Sequence, residues 1–159
     1  MEGVLFMKKG VSRIIGVLLL GVTLVGFMLL SGGEDGVLQF IDQPSLLLII
    51  IIFLSMMLLS NSLGDYLLGI KIVSGNPEYT TNELKAAINA MDLAITVTYL
   101  SAAIGFFLGM IAMLGTISDI QIIQKGTAIT LLVVFYALII NLVQYSIRTK
   151  LRKELIYRA

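Results

Sequence analysis

The sequence predicts an all-α membrane protein with four transmembrane helices, of which the second and third extend into the cytoplasm. Hydrophobic residues make up 58% of the 159 residues, and charged residues only 13%. A water-soluble domain of this size cannot bury so many apolar side chains. The apolar residues also fall into long runs, each near the roughly 20 residues that cross a bilayer. We predict a single domain over residues 1–159, with spans at about 12–31, 45–63, 92–117 and 126–146.

The first run follows Lys8, Lys9 and Arg13. A basic start and an apolar run also describe a signal peptide. The run is longer than a typical signal core, and the sequence after Leu30 has no clean small-x-small cleavage pattern. We therefore expect a retained transmembrane helix, with the signal peptide as the alternative.

The second span follows a polar connection, and Pro44 is tolerated in the first turn of a helix. Beyond Leu63, apolar residues keep helical spacing around Asp65 and Lys71. This pattern predicts that the helix continues out of the membrane for two or three turns. The sequence Ser-Gly-Asn-Pro at residues 74–77 ends it, so residues 74–91 form a short cytoplasmic connection.

The helix that carries the third span is predicted to begin at a capping box, with Thr80 as the N-cap and Glu83 at the third helical position. A helix from there to Ile117 would be roughly 55 Å long, so its first turns should project beyond a hydrocarbon core of about 30 Å. Small residues follow one face, including a Gly-xxx-Gly pair that lets backbones approach closely. Such a face is more typical of a packing seam than of a pore. Its members are Thr98, Ser101, Gly105, Gly109, Ala112 and Thr116.

The fourth span follows a predicted turn at residues 118–125 and carries a polar stripe. Its members recur at steps of three, four and seven, within a face roughly 100° wide. Polar side chains in hydrocarbon are costly unless they face protein or water, so this face should turn to other helices or to a central cavity. The stripe contains Thr127, Thr130, Val134, Asn141 and Gln144.

The basic residues predict the topology. Of the eleven Lys and Arg, only Lys125 lies in a loop that is outside if both termini are inside. The basic tail after residue 147 and the connection at residues 61–91 then share the cytoplasmic side, as the positive-inside rule requires. We predict a multi-pass protein with both termini cytoplasmic.

Chemistry-bearing residues are scarce. The chain has no Cys and no His, and no charged residue lies in the middle of any span. No phosphate-binding loop, metal cluster or nucleophile–base pair is present in the sequence. We therefore predict no enzyme activity, no catalytic, cofactor or metal site, and no nucleic-acid partner. An ion path would need an ionisable group from another chain.

Four segments carry a family resemblance. Residues 40–45 (Phe-Ile-Asp-Gln-Pro-Ser) and 60–71 resemble the second-helix region of flagellar stator A subunits. Residues 103–111 and 126–142 are similar to that family's third and fourth helices. The order and spacing of all four spans agree. The chain is identified as a compact member of the MotA/TolQ/ExbB proton-channel family.

The resemblance implies a homopentamer in the bacterial cytoplasmic (inner) membrane, with the third and fourth helices around a pore. A single-span MotB/TolR/ExbD-like partner would supply the transmembrane Asp, and proton or sodium flow would drive rotation. The chain departs from the family at four places. Gly109 and Val134 stand where pore-facing threonines are usual, Ala102 where a Pro is common, and residues 74–91 replace a large cytoplasmic domain.

Three hypotheses remain open at this point. The first is an energiser subunit that encloses a partner helix. The second is a non-conducting pentameric scaffold or partner-binding module that has lost the channel threonines. The third is an unrelated four-helix bundle packed through Gly105 and Gly109. For the first, the candidate pore-lining residues are Thr127, Thr130, Val134, Asn141, Gln144, Ser101, Gly105, Gly109, Ala112 and Thr116.

Overall fold

The computed structural model describes residues 2–32, 38–75, 78–115 and 120–158. Every regular element in these ranges is helical, as the sequence predicts. The helices are α1 (Glu2–Gly32), α2 (Gln43–Leu59), α3 (Leu63–Ser74), α4 (Thr81–Leu114) and α5 (Ile120–Arg158), with a short 3-10 helix at Leu38–Phe40.

The chain divides into two compact units, residues 1–42 and 43–159. The first unit contains α1, a single helix of 31 residues whose apolar part includes Leu18–Ser31. Within it the hydroxyl of Thr23 donates to the carbonyl of Leu19 at 2.8 Å, so this polar side chain is satisfied by its own helix. The first transmembrane span stays a prediction.

The second unit contains the helices that are long and apolar enough to cross a membrane. These are α4 and the part of α5 from Ile123 to Arg158. The pair α2 and α3 would be a third span if the two helices together form one. Two clear candidates and a possible third support a membrane-embedded protein.

The expectation of one continuous second helix is wrong. The chain bends by 106° between α2 and α3. Asn61 adopts a left-handed conformation with φ of 52°. The Ser62 N–H donates to the Met57 carbonyl and the Asn61 N–H to the Leu58 carbonyl, both at 3.0 Å. This pair of bonds is a Schellman motif, which ends a helix and favours Gly or Asn at the left-handed residue.

The predicted start of α4 is confirmed. The Glu83 N–H donates to the Thr80 hydroxyl at 3.2 Å, and the Thr80 N–H donates to the Glu83 carboxylate at 2.7 Å. The helix has 34 residues, which corresponds to about 51 Å. Its predicted end at Ile117 lies outside the described residues, and Gly115 caps the described part.

The predicted turn before α5 is wrong over residues 120–125, because α5 already begins at Ile120. These residues include no Gly or Pro, the residues that most disfavour a helix. The basic tail is also helical, through Arg158. Buried Leu151 holds it against Leu84 and Ala87 of α4, which gives this end of the helix a tertiary anchor.

The core of the second unit forms around the antiparallel pair of α4 and α5. Ile49 of α2 packs with Ala102 of α4 and with Val133 and Ala137 of α5. Nearer the α2–α3 bend, Met57 packs with two alanines of α4, and the rings of Phe53 and Tyr66 meet edge to face. The small α4 residues let α2, α3 and α5 approach it closely.

Candidate functional site: the seam between α4 and α5

An ion pair joins α4 to α5 at one end of their apolar segments. Asp92 is the last charged residue of α4 before 23 uncharged residues, 93–115. Arg148 is the first in α5 after 22 uncharged residues, 126–147. The Arg148 guanidinium forms an ion pair with the Asp92 carboxylate. The first apolar residue of the α4 segment and the last of the α5 segment therefore lie at the same level. Each segment is about 33–35 Å long, near the thickness of a hydrocarbon core.

Polar side chains line the contact between these two segments, and we call this contact the seam. Five are buried: Thr98 and Ser101 of α4, and Thr130, Asn141 and Gln144 of α5. The hydroxyls of Thr98 and Ser101 donate to carbonyls one turn back in α4, at 2.9 and 2.8 Å. The Gln144 amide donates to the Thr98 hydroxyl at 3.4 Å, a long bond. This amide-to-hydroxyl bond links α4 to α5 without any charge.

Asn141 is the least satisfied residue of the seam. Its side chain is 1% exposed, and neither its amide nitrogen nor its carbonyl oxygen has a hydrogen-bond partner among the described residues. The carbonyl oxygen of Gln144, one turn away, also has none there. Burial of such a group without a partner costs about 1–3 kcal/mol. Asn141 therefore offers unused donors and an acceptor, and Gln144 an unused acceptor, toward the Arg148 end of the apolar segment of α5.

Glycines of α4 let the two helices touch in the part of the seam that is farther from the ion pair, which we call the glycine half. The Thr130 hydroxyl occupies the space that a Cβ on Gly109 would take. A Cβ added to Gly105 would lie 2.7 Å from a methyl of Val133. The Thr130 hydroxyl donates to the Gly126 carbonyl at 2.7 Å, and its oxygen can still accept. A hydroxyl is therefore present beside position 109, supplied by the opposite helix.

The structure separates the predicted pore-lining residues into groups. Ser101, Gly105, Thr130, Asn141 and Gln144 are buried in the second unit. Gly109 and Val134 are partly exposed, and Thr127 and Ala112 are exposed. Thr116 lies outside the described residues. Within one chain the buried members face neighbouring helices, and pore lining stays a prediction.

An apolar cavity of about 460 Å³ opens beside the glycine half of the seam. Thr127 and Thr130 supply its hydroxyl groups, and the Thr127 hydroxyl lies 3.4 Å from the sulfur of Met113. Sequence reasoning missed this cavity, because no pattern along either helix tells where the facing side chains leave space between them. The full lining is Phe106, Met110, Met113, Leu114, Ile123, Thr127, Thr130 and Leu131.

A second polar contact, which no sequence pattern indicates, joins the segment just before α4 to the end of α5. The Tyr79 hydroxyl donates to the Glu154 carboxylate at 2.9 Å, and the Arg158 guanidinium lies 4.2 Å from the centre of the Tyr79 ring. Burial, and then the bond to Glu154, raise the pKa of Tyr79 above its ordinary value. This contact closes the hairpin outside the apolar segments.

The seam can bind water or small polar groups and can position helices, but its own residues carry no proton donor or acceptor of suitable pKa. Groups of three or more acidic, His or Cys residues that could hold a metal do not occur in the part of the chain that the structure describes. Comparisons with family models, with curated proteins and with solved structures find no match to this chain.

Proposed function

We propose that the chain is a ring-forming subunit of an ion-driven membrane complex of the MotA/TolQ/ExbB type. Copies of the chain, five by the family resemblance, surround a single-span partner helix that carries a membrane Asp. The observation that carries this proposal is the α4–α5 hairpin. Two long apolar helices are held in register by an ion pair at one end and share a seam of neutral polar and small residues.

The absence of charge in the seam supports a proposal in which this chain binds water and the partner binds the ion. Amide and hydroxyl groups bind water well without adding a charge that would hold an ion in place. The free hydrogen-bonding capacity of Asn141 and Gln144 suits such a role. The partner Asp would then be the one group that takes up and releases the ion.

The loss of a threonine at position 109 is partly offset. The Thr130 hydroxyl lies where a side chain at position 109 would begin. Hydroxyl chemistry therefore persists at that level, which supports conduction in a chain that lacks the usual threonines.

A non-conducting scaffold is the second candidate, and burial favours it. Thr130, Asn141 and Gln144 are enclosed within a single chain. In this alternative the seam only holds the hairpin together, while the exposed apolar faces of α4 and α5 bind neighbouring copies and the partner.

Native mass spectrometry and proton flux separate these candidates. We expect five copies of the purified full-length chain, and flux in liposomes only together with a single-span protein that has a membrane Asp and is encoded beside this chain. Substitution Thr130→Val should reduce that flux. A pentamer without flux would favour the scaffold, whereas a monomer or dimer would contradict both candidates.

A further inference from the structure

We propose that Arg148 and Arg152 of α5, together with Tyr145, bind the phosphate of an anionic phospholipid. This site lies outside the seam, and it requires only that α4 and α5 cross a membrane. It adds a specific lipid ligand to the general expectation of a surrounding bilayer.

The first step is charge. The two guanidinium groups share one carboxylate, since Arg148 pairs with Asp92 and the Arg152 Nη2 lies 3.2 Å from the second Asp92 oxygen. One positive charge is left over in this cluster. A guanidinium has five N–H donors, so two oxygens cannot saturate two arginines. The outer arginine, Arg152, has a side chain that is 52% exposed and can turn donors to a phosphate.

The second step is depth. Arg148 directly follows the apolar segment of α5, and Leu142, which precedes it within that segment, is an exposed hydrophobic residue. Tyr145 lies between Leu142 and Arg148 in the sequence, is itself exposed, and its ring lies 5.7 Å from the Arg148 guanidinium carbon. Exposed tyrosines are typical of the membrane–water interface. A ligand here meets apolar surface on one side and cationic donors on the other, which describes a phospholipid rather than free phosphate.

The third step is asymmetry along the helix. Residues 148–158 contain five basic residues and one acidic residue, Glu154. In the described part of α5 before residue 148, Lys125 is the one charged residue. Anionic lipids are attracted to such a basic juxtamembrane segment by about 1 kcal/mol per Lys or Arg. The excess charge therefore favours an anionic headgroup at the Arg148 end.

The test compares lipids and matched variants. Binding of phosphatidylglycerol and of phosphatidylcholine to the detergent-purified full chain is titrated by native mass spectrometry. Wild type should bind phosphatidylglycerol at least several-fold more tightly. Arg152→Gln should weaken that binding about fivefold, whereas Arg152→Lys should retain most of it. Lys85→Gln, which removes an exposed charge about 10 Å along α4 from Asp92, should change it less than twofold.

Substitution Asp92→Asn tests the proposal independently, through the direction in which the affinity for phosphatidylglycerol changes. With the competing carboxylate neutralised, phosphatidylglycerol should bind more tightly; weaker binding in a folded variant would show that the arginines act only as a clamp. Equal affinity for the two lipids, or equal losses in Arg152→Gln and Lys85→Gln, would overturn the proposal. Inorganic phosphate should not compete at concentrations similar to those of the lipid, and effective competition would overturn the assignment to a lipid.

Discussion

The hydroxyl of Thr130 fills the space beside Gly109 that any larger residue at position 109 would need. That hydroxyl is held by a bond to the Gly126 carbonyl, and the side chain is β-branched, so it has little freedom to move away. The close approach of α4 and α5 at this level therefore depends on the absence of a side chain at position 109.

Substitution Gly109→Ala should destabilise the protein by about 1–3 kcal/mol, because the new methyl overlaps Thr130. The thermal unfolding midpoint in detergent measures this. Thr130→Ala in the same chain should recover part of the loss, which a double-mutant cycle would detect. Gly64→Ala is the control, since nothing lies within 4 Å of a Cβ there. An unchanged midpoint for Gly109→Ala would contradict the close contact.

Substitution Asn141→Leu should leave stability unchanged or raise it by about 1 kcal/mol, because both polar atoms of Asn141 are buried without partners among the described residues. Gln144→Leu is the matched control and should be less favourable, since it also removes the bond to Thr98. Unfolding of both variants in detergent gives the comparison. If Asn141 serves an ion path, its variant should lose flux while it keeps or gains stability.

The capping box predicts a specific pH dependence. The Thr80 N–H, and then the Thr80 hydroxyl, hold the pKa of Glu83 below its ordinary value of 4.5. The unfolded chain binds this proton more readily, so the carboxylate stabilises the fold above about pH 4.5 and this contribution is lost as pH falls through the lower, folded pKa.

Glu83→Gln should keep an acceptor for the Thr80 N–H but remove the titration. The difference between wild type and this variant in unfolding midpoint should therefore shrink as pH is lowered from 6 to 3. Thr80→Ala, which deletes the cap itself, should cost about 1 kcal/mol at neutral pH. A wild-type to Glu83→Gln difference that does not change with pH would show that the carboxylate does not act in this way.

The bend between α2 and α3 should depend on Asn61. A β-branched residue pays about 1–2 kcal/mol in the left-handed conformation, so Asn61→Val should destabilise the protein by that amount. Asn61→Gly should be tolerated or slightly stabilising. Unfolding midpoints of the two variants test this, and equal effects would contradict the left-handed turn.

Local features of the chain were predictable where a short motif has one structural meaning. Thr80 and Glu83 placed the start of α4 correctly, because reciprocal capping bonds need only those residue types at that spacing. The α2–α3 break was missed because Leu63, Leu67 and Ile70 keep helical spacing whether the chain forms one continuous helix or two helices joined by a bend. A single left-handed residue, Asn61, changes the direction of the chain without disturbing that spacing.

The two faces of the seam were predictable, but their pairing was not. Periodicity identified the small face of α4 and the polar stripe of α5, since each recurs at helical steps. It does not say which faces meet, and within one stripe Thr130 is buried whereas Thr127 is exposed. The ion pair of Asp92 with Arg148 joins residues far apart in sequence, so no local pattern could indicate it.

Two contacts that are far apart along the hairpin fix α4 against α5. One is the ion pair of Asp92 with Arg148, and the other is the packing of Thr130 against Gly109. Sliding α5 past α4 by one turn, about 5.4 Å, would break both contacts at once. The two helices should consequently tilt or rotate only as a rigid body. Any mechanical work done by an assembly of these chains would then arise from whole hairpins swivelling against their neighbours, not from shear inside a hairpin.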